Sequence, residues 1–421
     1  MRTRLSPEFE GSAAGERADA ILRKCVHCGF CNATCPTYRL LGDELDGPRG
    51  RIYLIKQALE GAPVTRSTQL HLDRCLTCLN CETTCPSGVR YGHLLDIGRR
   101  IVDERVPRPW PERMLRWLLR AGLTSRWFAP AVALGRRLSP LLPRALQGHV
   151  PRRTRDAAAG RRDHDAARPA APRRRVWLLA GCVQPALSPN IDAATVRVLA
   201  AAGIDGVHAP NAGCCGALRK HLSDPAGALA DMRRNIDAWW PAVAAGEVDA
   251  IVVNASGCGV TVKDYGHALG ADAAYAAKAA AIARLARDLS ELLADMAPAL
   301  KSRVRAPAGE AFAYHAPCTL QHGQGLRGGV EEHLGALGFR LETAPVDAGL
   351  CCGSAGAYSV LQPRISRELR DRKLEGLGRV GAGCIVSANI GCIRHLQSGT
   401  ATPVRHWVEV LDDALSEAPR A

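Results

Sequence analysis

The amino-acid sequence predicts a multidomain chain: a mostly α-helical segment built on two cysteine runs, followed by an α/β cysteine-rich unit that occurs twice. Three observations carry this. The run Cys25-Val26-His27-Cys28-Gly29-Phe30-Cys31-Asn32-Ala33-Thr34-Cys35-Pro36 repeats its spacing at Cys75-Leu76-Thr77-Cys78-Leu79-Asn80-Cys81-Glu82-Thr83-Thr84-Cys85-Pro86. The 39 residues separating Cys35 from Cys75 exceed what a compact pair of hairpins needs, and they carry apolar residues at helical spacing. From Arg175 onward, short apolar runs alternate with Ala-rich stretches, as strands and helices do in an α/β fold.

In chain order, residues 18–23 read as a short helix ahead of the first run, and 49–61 as a helix between the runs, ended by Gly61. Residues 71–74 lead into the second run, and 94–104 continue as helix. Residues 109–148 mix Trp, Leu and Arg at amphipathic spacing, broken by Pro130, Pro140 and Pro143. The expectation is a helical pair packed across the following domain, with an interfacial membrane helix as the alternative. The Arg/Ala/Pro tract from about 149 to 175 reads as a linker.

Two copies of one module follow. In the first, a strand over 176–180 ends at Gly181-Cys182, Cys214-Cys215-Gly216 comes after 31 intervening residues, and a strand over 250–253 ends in Asn254-Ala255-Ser256-Gly257-Cys258-Gly259. In the second, a strand over 311–315 ends at Pro317-Cys318, Cys351-Cys352-Gly353 comes after 32, and a strand over 384–387 ends in Ala388-Asn389-Ile390-Gly391-Cys392. Agreement at three landmarks in order indicates duplication. Between the copies, 271–296 reads as a long helical region. The expected domains are 1–108, a connector and basic linker over 109–175, and the two modules over 176–300 and 301–421.

Four cysteines at C-x2-C-x2-C-x3-C before a proline is the spacing by which bacterial ferredoxins hold two [4Fe–4S] clusters, the fourth Cys of each run ligating the other cluster. It assigns Cys25, Cys28, Cys31 and Cys85 to one cluster and Cys75, Cys78, Cys81 and Cys35 to the other, in a mostly helical two-cluster ferredoxin domain. Zinc sites use two CxxC pairs and have no use for the third Cys. His27, with four thiolates at hand, is expected to tune the cluster or face solvent rather than ligate.

The modules offer Cys182, Cys214, Cys215 and Cys258, and Cys318, Cys351, Cys352 and Cys392, as further candidate Fe–S or metal sites at strand ends, where α/β folds place their ligands. Neighbouring side chains on extended backbone point apart, so adjacent cysteines make poor core packing, and the Gly after them suits close approach to something bound. Cys384, inside an apolar strand, suits the core. His221, His315 and His322 are candidate proton carriers beside these sites. The G-x-G-x-x-G at Gly323, Gly325 and Gly328 does not close a strand, and no dinucleotide site is expected.

Seventeen cysteines in clusters rather than scattered pairs are those of metal ligands kept reduced, which points to a cytoplasmic chain. The net charge of +14 is unevenly spread, and residues 151–175 hold nine Arg against three Asp. No aromatic residue interleaves with these arginines, which argues against nucleic acid as a partner. A solvated linker is expected, with contact to anionic lipid or an acidic partner as the alternative. No stretch reaches the ~18–20 apolar residues that span a bilayer, and residues 1–20 lack the apolar core of a signal peptide.

The modules resemble the cysteine-rich CCG domains of the heterodisulfide reductase family, and their order after a two-cluster ferredoxin domain resembles the iron–sulfur subunits of bacterial glycolate oxidase (glycolate dehydrogenase). The resemblance is carried by Cys25-Val26-His27-Cys28-Gly29-Phe30-Cys31, by residues 42–53 (GDELDGPRGRIY) and 81–91 (CETTCPSGVRY), and most specifically by Asn235-Ile236-Asp237-Ala238-Trp239-Trp240-Pro241 and Cys318-Thr319-Leu320-Gln321-His322. It implies an electron-transfer subunit of an oxidoreductase, with no catalytic residues of its own. Flavin-containing partner subunits, which hold the FAD, would oxidise glycolate to glyoxylate, and this type of subunit would pass the electrons to a membrane acceptor such as quinone, at the cytoplasmic face of the inner membrane.

CCG domains with non-cubane clusters end in Cys-x-x-Cys; Ala255 and Asn389 stand at the first of these positions, which leaves four thiolates per module. The alternatives are the equivalent subunit of a D-lactate or glycerol 3-phosphate dehydrogenase, a heterodisulfide-reductase-like catalytic subunit, and a zinc-dependent interaction protein.

Overall fold

Cysteine loops punctuate residues 1–108, so the helices between them are short. The structure, a computed structural model, describes residues 1–125, 127–138 and 174–415. Ser12 caps the helix Ala13–Lys24, its Oγ accepting from Gly15 N at 3.1 Å, and the helix stops at Cys25. Pro48, whose ring presets a helical φ, opens the helix Pro48–Leu59, and Gly61 at φ 90° turns the chain out of it. Arg66–Asp73 begins with a Thr65/Thr68 capping box, and Tyr91–Arg105 follows the second run.

The helix Tyr91–Arg105 crosses Pro48–Leu59 at Gly98, where a Cβ would stand 2.5 Å from Ile55 Cγ1. Leu22, Ile52, Leu59, Leu72, Leu94, Leu95 and Ile101 fill the core between the helices, each fully buried side chain contributing ~1.5–3 kcal/mol. No strand occurs in residues 1–108.

The helices Trp110–Leu123 and Phe128–Leu138 form the expected pair, and the second touches the short helix Gln184–Leu187 of the first module. Their apolar side, however, is not the buried one. Trp110, Trp117, Leu118 and Leu134 are 69, 53, 53 and 57 % exposed, whereas Arg116 is buried. Arg116 donates to Asp73 at 3.2 Å and Glu112 at 3.1 Å, and Arg108 donates to Asp73, Asp103 and Glu112 at 2.5–3.0 Å. Three carboxylates thus draw the arginine side inward through charge-assisted bonds, and the Trp/Leu side is left facing out. Pro140, Pro143 and the basic tract up to residue 173 lie outside the described residues.

Each module is a four-stranded parallel sheet. β1 (Arg174–Leu178), β2 (Ile204–His208), β3 (Ala250–Val253) and β4 (Ala286–Asp288) lie in the order β2-β1-β3-β4, and β5 (Ala311–His315), β6 (Arg340–Thr343), β7 (Cys384–Ser387) and β8 (Val404–His406) repeat it as β6-β5-β7-β8. The registers repeat too: Val176 pairs with Ala250 as Phe312 pairs with Cys384. Val176, Leu178 and Val252 of one sheet share a core with Phe312, Tyr314 and Ile385 of the other, closed by Ile191 and Val198 from the helix Pro189–Ala201 and by Trp407 and Leu411 from Trp407–Asp413. Arg197 donates to Asp412 across these two helices, its Nε at 2.9 Å and its Nη2 at 2.5 Å. Each module therefore supplies a wall of the other's interior.

Residues 271–296 are not one helical region. The helix Ala276–Leu285 gives way to β4 and, after a 3-10 turn, to Leu293–Leu300. A three-residue edge strand is too short for alternation to mark it within an Ala- and Leu-rich stretch.

Candidate metal centres

The two cysteine loops reach the same shape by different residues. In the first, His27 and Gly29 take left-handed backbone at φ 61° and 87°; in the second, Thr77 and Leu79 do so at 52° and 59°. These reversals curl the chain so that thiols at x2 spacing face one centre. A Cβ on Gly29 would stand 2.6 Å from Arg49 Nη1, whereas Leu79 reaches out to pack beside Gly92 and Gly323.

Cys25, Cys28, Cys31 and Cys85 line one cavity with Pro48, Ile52 and Tyr91. Burial and the neighbouring Cys25, Cys28 and Cys85 thiols push Cys31 up to about 11. Burial, then Cys78, Cys75 and Cys35, push Cys81 well above the ordinary thiol value. The fourth cysteine of each run thus stands with the first three of the other. All seventeen cysteines are free thiols, and each of these foursomes is a soft donor set suited to iron–sulfur ligation. His27 is exposed, its ring 6.3 Å from that of Tyr53.

An ionic cluster that the cysteine spacing gave no hint of lies between the loops. Asp46 is fully buried and accepts from Arg74 Nη1 at 2.7 Å, stands 3.0 Å from His71 Nδ1, and pairs with Arg51 Nη2 at 3.5 Å. Arg51, itself 1 % exposed, donates to His71 O and to Thr37 Oγ1. Despite its burial, the nearby Cys75, Tyr91, Cys35 and Asp46 keep it charged. The signal was present in the 42–53 stretch, though nothing in its periodicity says that Arg51 rather than Arg49 turns inward. Arg51→Met is expected to destabilise the chain by about 3 kcal/mol, since breaking one partner of a buried pair strands the other; urea unfolding under anaerobic conditions measures it.

In each module the cysteines gather where strand connections diverge to either side of the first strand, the crevice in which parallel α/β sheets bind ligands. Cys182 follows β1, and Cys258 sits in the first turn of the helix Ser256–Lys263 after β3. Cys318 follows β5, and Cys392 lies in the first turn of Ile390–Gln397 after β7. Hydrogen bonds from Cys182 and Cys215, and from Gly216 N at 3.5 Å, hold Cys214 well below the ordinary thiol value. In the second module Gly353 N donates to Cys351 Sγ at 3.4 Å, and Asn389 Nδ2 to Cys392 Sγ at 3.4 Å. A hydrogen bond with Cys351 and burial push Cys318 up. Cys384, at the start of β7, lies in the shared core.

The glycine of each Cys-Cys-Gly serves a different end from the one its sequence suggests. Gly216 and Gly353 have φ 94° and 90°, and a Cβ would stand 2.9 Å from Ala228 O and 2.5 Å from Ser366 O. The close approach is to the module's own long helix, Pro225–Ala244 or Pro363–Gly378. Gly353→Ala is expected to cost ~1–3 kcal/mol, and more than Gly216→Ala, in thermal unfolding of the anaerobic protein.

The same long helices hold the cysteine loops with different residues. Asn235 donates to Cys214 O at 2.8 Å and accepts from Gly213 N at 2.8 Å. Its structural counterpart Lys373, buried, donates to Asp347 O at 2.5 Å and Ala348 O at 3.2 Å. Burial pushes the Lys373 ammonium down against the pull of Cys352 and Cys351.

The second cysteine run docks on the second module. Leu76 and Cys78 pack in one cluster with Cys318, Cys351, Tyr358, Ile365 and Leu369. Tyr358 Oη donates to Arg74 O at 3.0 Å, Thr83 Oγ1 meets His322 Nδ1 at 3.0 Å, and Arg39 donates to both carboxylate oxygens of Asp347 at 2.8 and 3.2 Å. The first run instead faces outward, with Val26 and Phe30 70 and 62 % exposed and Cys28 also exposed.

His315 is buried beside Cys352 and Cys392, His322 sits at the docking seam, and His221 lines a separate cavity of about 420 Å³ with Cys75, His93, Arg99, Lys220 and His267. There His93 and His267 stack at 3.6 Å, and burial, Arg99 and Lys220 bring His221 down to about 3. No helix among the described residues is long and apolar enough to cross a membrane.

Comparison with known proteins agrees with this division. The family described as "4Fe-4S dicluster domain" matches residues 21–89, and the one described as "Cysteine-rich domain" matches residues 176–263 and 312–397. The chain is 52 % identical over 421 residues to the glycolate oxidase iron-sulfur subunit of Escherichia coli (strain K12), covering 99 % of this chain and 100 % of that protein. It is 29 % identical over 404 residues to the probable glycolate oxidase iron-sulfur subunit of Bacillus subtilis (strain 168), covering 90 % of this chain and 89 % of that one. Lactate utilization protein A of Exiguobacterium sp. (strain ATCC BAA-1283 / AT1b) is 24 % identical over 250 residues, 58 % of this chain and 99 % of its own.

Proposed function

The chain belongs to the family of glycolate oxidase iron–sulfur subunits, and from that premise we propose that it carries electrons from a flavin on a partner subunit, where glycolate becomes glyoxylate, to a membrane quinone. In this reading Cys25, Cys28, Cys31 and Cys85 hold one [4Fe–4S] cluster and Cys75, Cys78, Cys81 and Cys35 the other. The module cysteines offer further iron sites, and the domains divide at 1–108, 109–175, 176–300 and 301–421. Such clusters, when bound, take up and release single electrons at potentials set by burial and hydrogen bonds to sulfur.

The observation that carries the reading is the packing of Cys78 against Cys318 and Cys351, which brings thiols of the ferredoxin region and of the second module together at the docking seam. The chain's own residues support such a path. Exposed Val26 and Phe30 around Cys28 offer an apolar face to a partner subunit, and buried Arg51 offsets negative charge at Cys75 and Cys35. The 420 Å³ cavity beside Cys75 falls in the size range of small-molecule sites and suits a small acceptor.

Exposed Trp110, Trp117 and Leu118, next to exposed Arg113, have the make-up of an interfacial surface and support a peripheral position at the cytoplasmic face of the inner membrane. Sedimentation with anionic vesicles is expected to carry the chain down, and Trp117→Glu to release it.

The test of function is assembly with the flavin subunits under anaerobic conditions and addition of glycolate, D-lactate or glycerol 3-phosphate. Bleaching of this chain's iron–sulfur absorption by glycolate is expected. Bleaching by D-lactate alone would transfer the reading to a lactate enzyme.

A further inference from the structure

Both modules present four thiols, but only the second adds an imidazole. His315 ends β5 three positions before Cys318, and Leu179 stands three positions before Cys182 in the first module. A ring nitrogen of His315 and the Sγ atoms of Cys352 and Cys392 all lie within 4.8 Å of one another. The His315 residue is 2 % exposed, and neither Nδ1 nor Nε2 has a hydrogen-bond partner.

An unpartnered buried polar atom is costly, and this ring leaves two. Ser387, paired with His315 in the β5–β7 ladder, adds a third such atom, its Oγ, where the first module has Val253. Buried polar groups gathered without bonds call for a ligand that satisfies them. Nitrogen and sulfur bound at about 2.0–2.3 Å to one tetrahedral ion stand roughly 3.5 Å apart, so the spacing suits a metal between them.

We propose that His315 is a metal ligand, and that the second module holds an iron–sulfur centre of mixed ligation by Cys318, Cys351, Cys352, Cys392 and His315, while the first module's four thiols stand without an imidazole. The inference rests on the reading of the chain as an iron–sulfur subunit. An imidazole in a position where a thiolate could stand leaves the centre one negative charge poorer, and histidine ligation raises the potential of iron–sulfur centres.

The experiment uses the full-length chain, purified anaerobically with ¹⁵N-labelled histidine, then reduced and read by pulsed EPR for nitrogen coupled to the cluster spin, with iron per chain counted in parallel. A strongly coupled histidine nitrogen is expected in the parent. His315→Cys is expected to lose it while keeping its iron, and His315→Leu, which copies the first module, to lose it as well. Iron that depends on Cys352 and Cys392 without any coupled histidine nitrogen overturns the ligation, as does coupling that survives His315→Cys. Iron unchanged by Cys352→Ala and Cys392→Ala overturns the centre itself, and with it the role given to this module in the relay.

Discussion

Replacing Cys78 by alanine is expected to slow acceptor reduction by the assembled complex more than ~100-fold, beyond the ~10–100-fold that losing an outer partner of a metal site costs. Flavin reduction by glycolate should continue unchanged. Cys78 is both a proposed ligand and the residue packed against Cys318 and Cys351, so its loss opens the chain of thiols at its joint. Leu76, in the same apolar cluster, separates the two roles. Leu76→Ala is expected to loosen the docking and slow transfer while leaving iron content intact. Rapid mixing with glycolate, followed at flavin and iron–sulfur wavelengths, reads both variants, and equal loss of flavin reduction in Cys78→Ala would contradict a pure relay.

The second large effect concerns the crossed cysteines. Cys85→Ser is expected to destabilise residues 1–108 by ~2–5 kcal/mol, the range found when a covalent staple is removed from a small domain, and Cys28→Ser by clearly less. Cys85 lies beyond the helix Asn80–Thr84 yet stands with Cys25, Cys28 and Cys31, so it ties the two loops together, whereas Cys28 closes only its own exposed loop. Because metal binding to such a site is itself folding free energy, iron chelation should unfold this region before the modules. Far-UV circular dichroism during chelation, compared between the parent and the two variants, measures the order.

Much of this was legible in the sequence because the chemistry fixes the spacing. Iron ligation dictates C-x2-C-x2-C-x3-C, and the structure places the fourth cysteine of each run beside the first three of the other. β1, β3, β5 and β7 were legible because central strands of a parallel sheet are covered on both faces and read as apolar runs: β3 and β7 are buried throughout. The edge strands β2, β4, β6 and β8 were not, because each runs only three to five residues and none is buried along its whole length, so no continuous apolar run marks it.

Periodicity gave the apolar side of Trp110–Leu123 but not what that side faces, which was decided by distant carboxylates such as Asp73. The same limit hid the Arg51–Asp46 pair. His315 could be found in the sequence as a histidine near Cys318, but its meaning comes from the contrast with Leu179, which only the superposed registers of the two sheets make firm.

The central claim, that electrons from glycolate pass through this chain on their way to the acceptor, is tested most directly by anaerobic stopped-flow on the complex with its flavin subunits. The account predicts that glycolate bleaches the flavin first and the iron–sulfur absorption of this chain next, and that a quinone analogue restores the iron–sulfur absorption before the flavin. Acceptor reduction at an undiminished rate in a complex whose chain carries Cys78→Ala would contradict it.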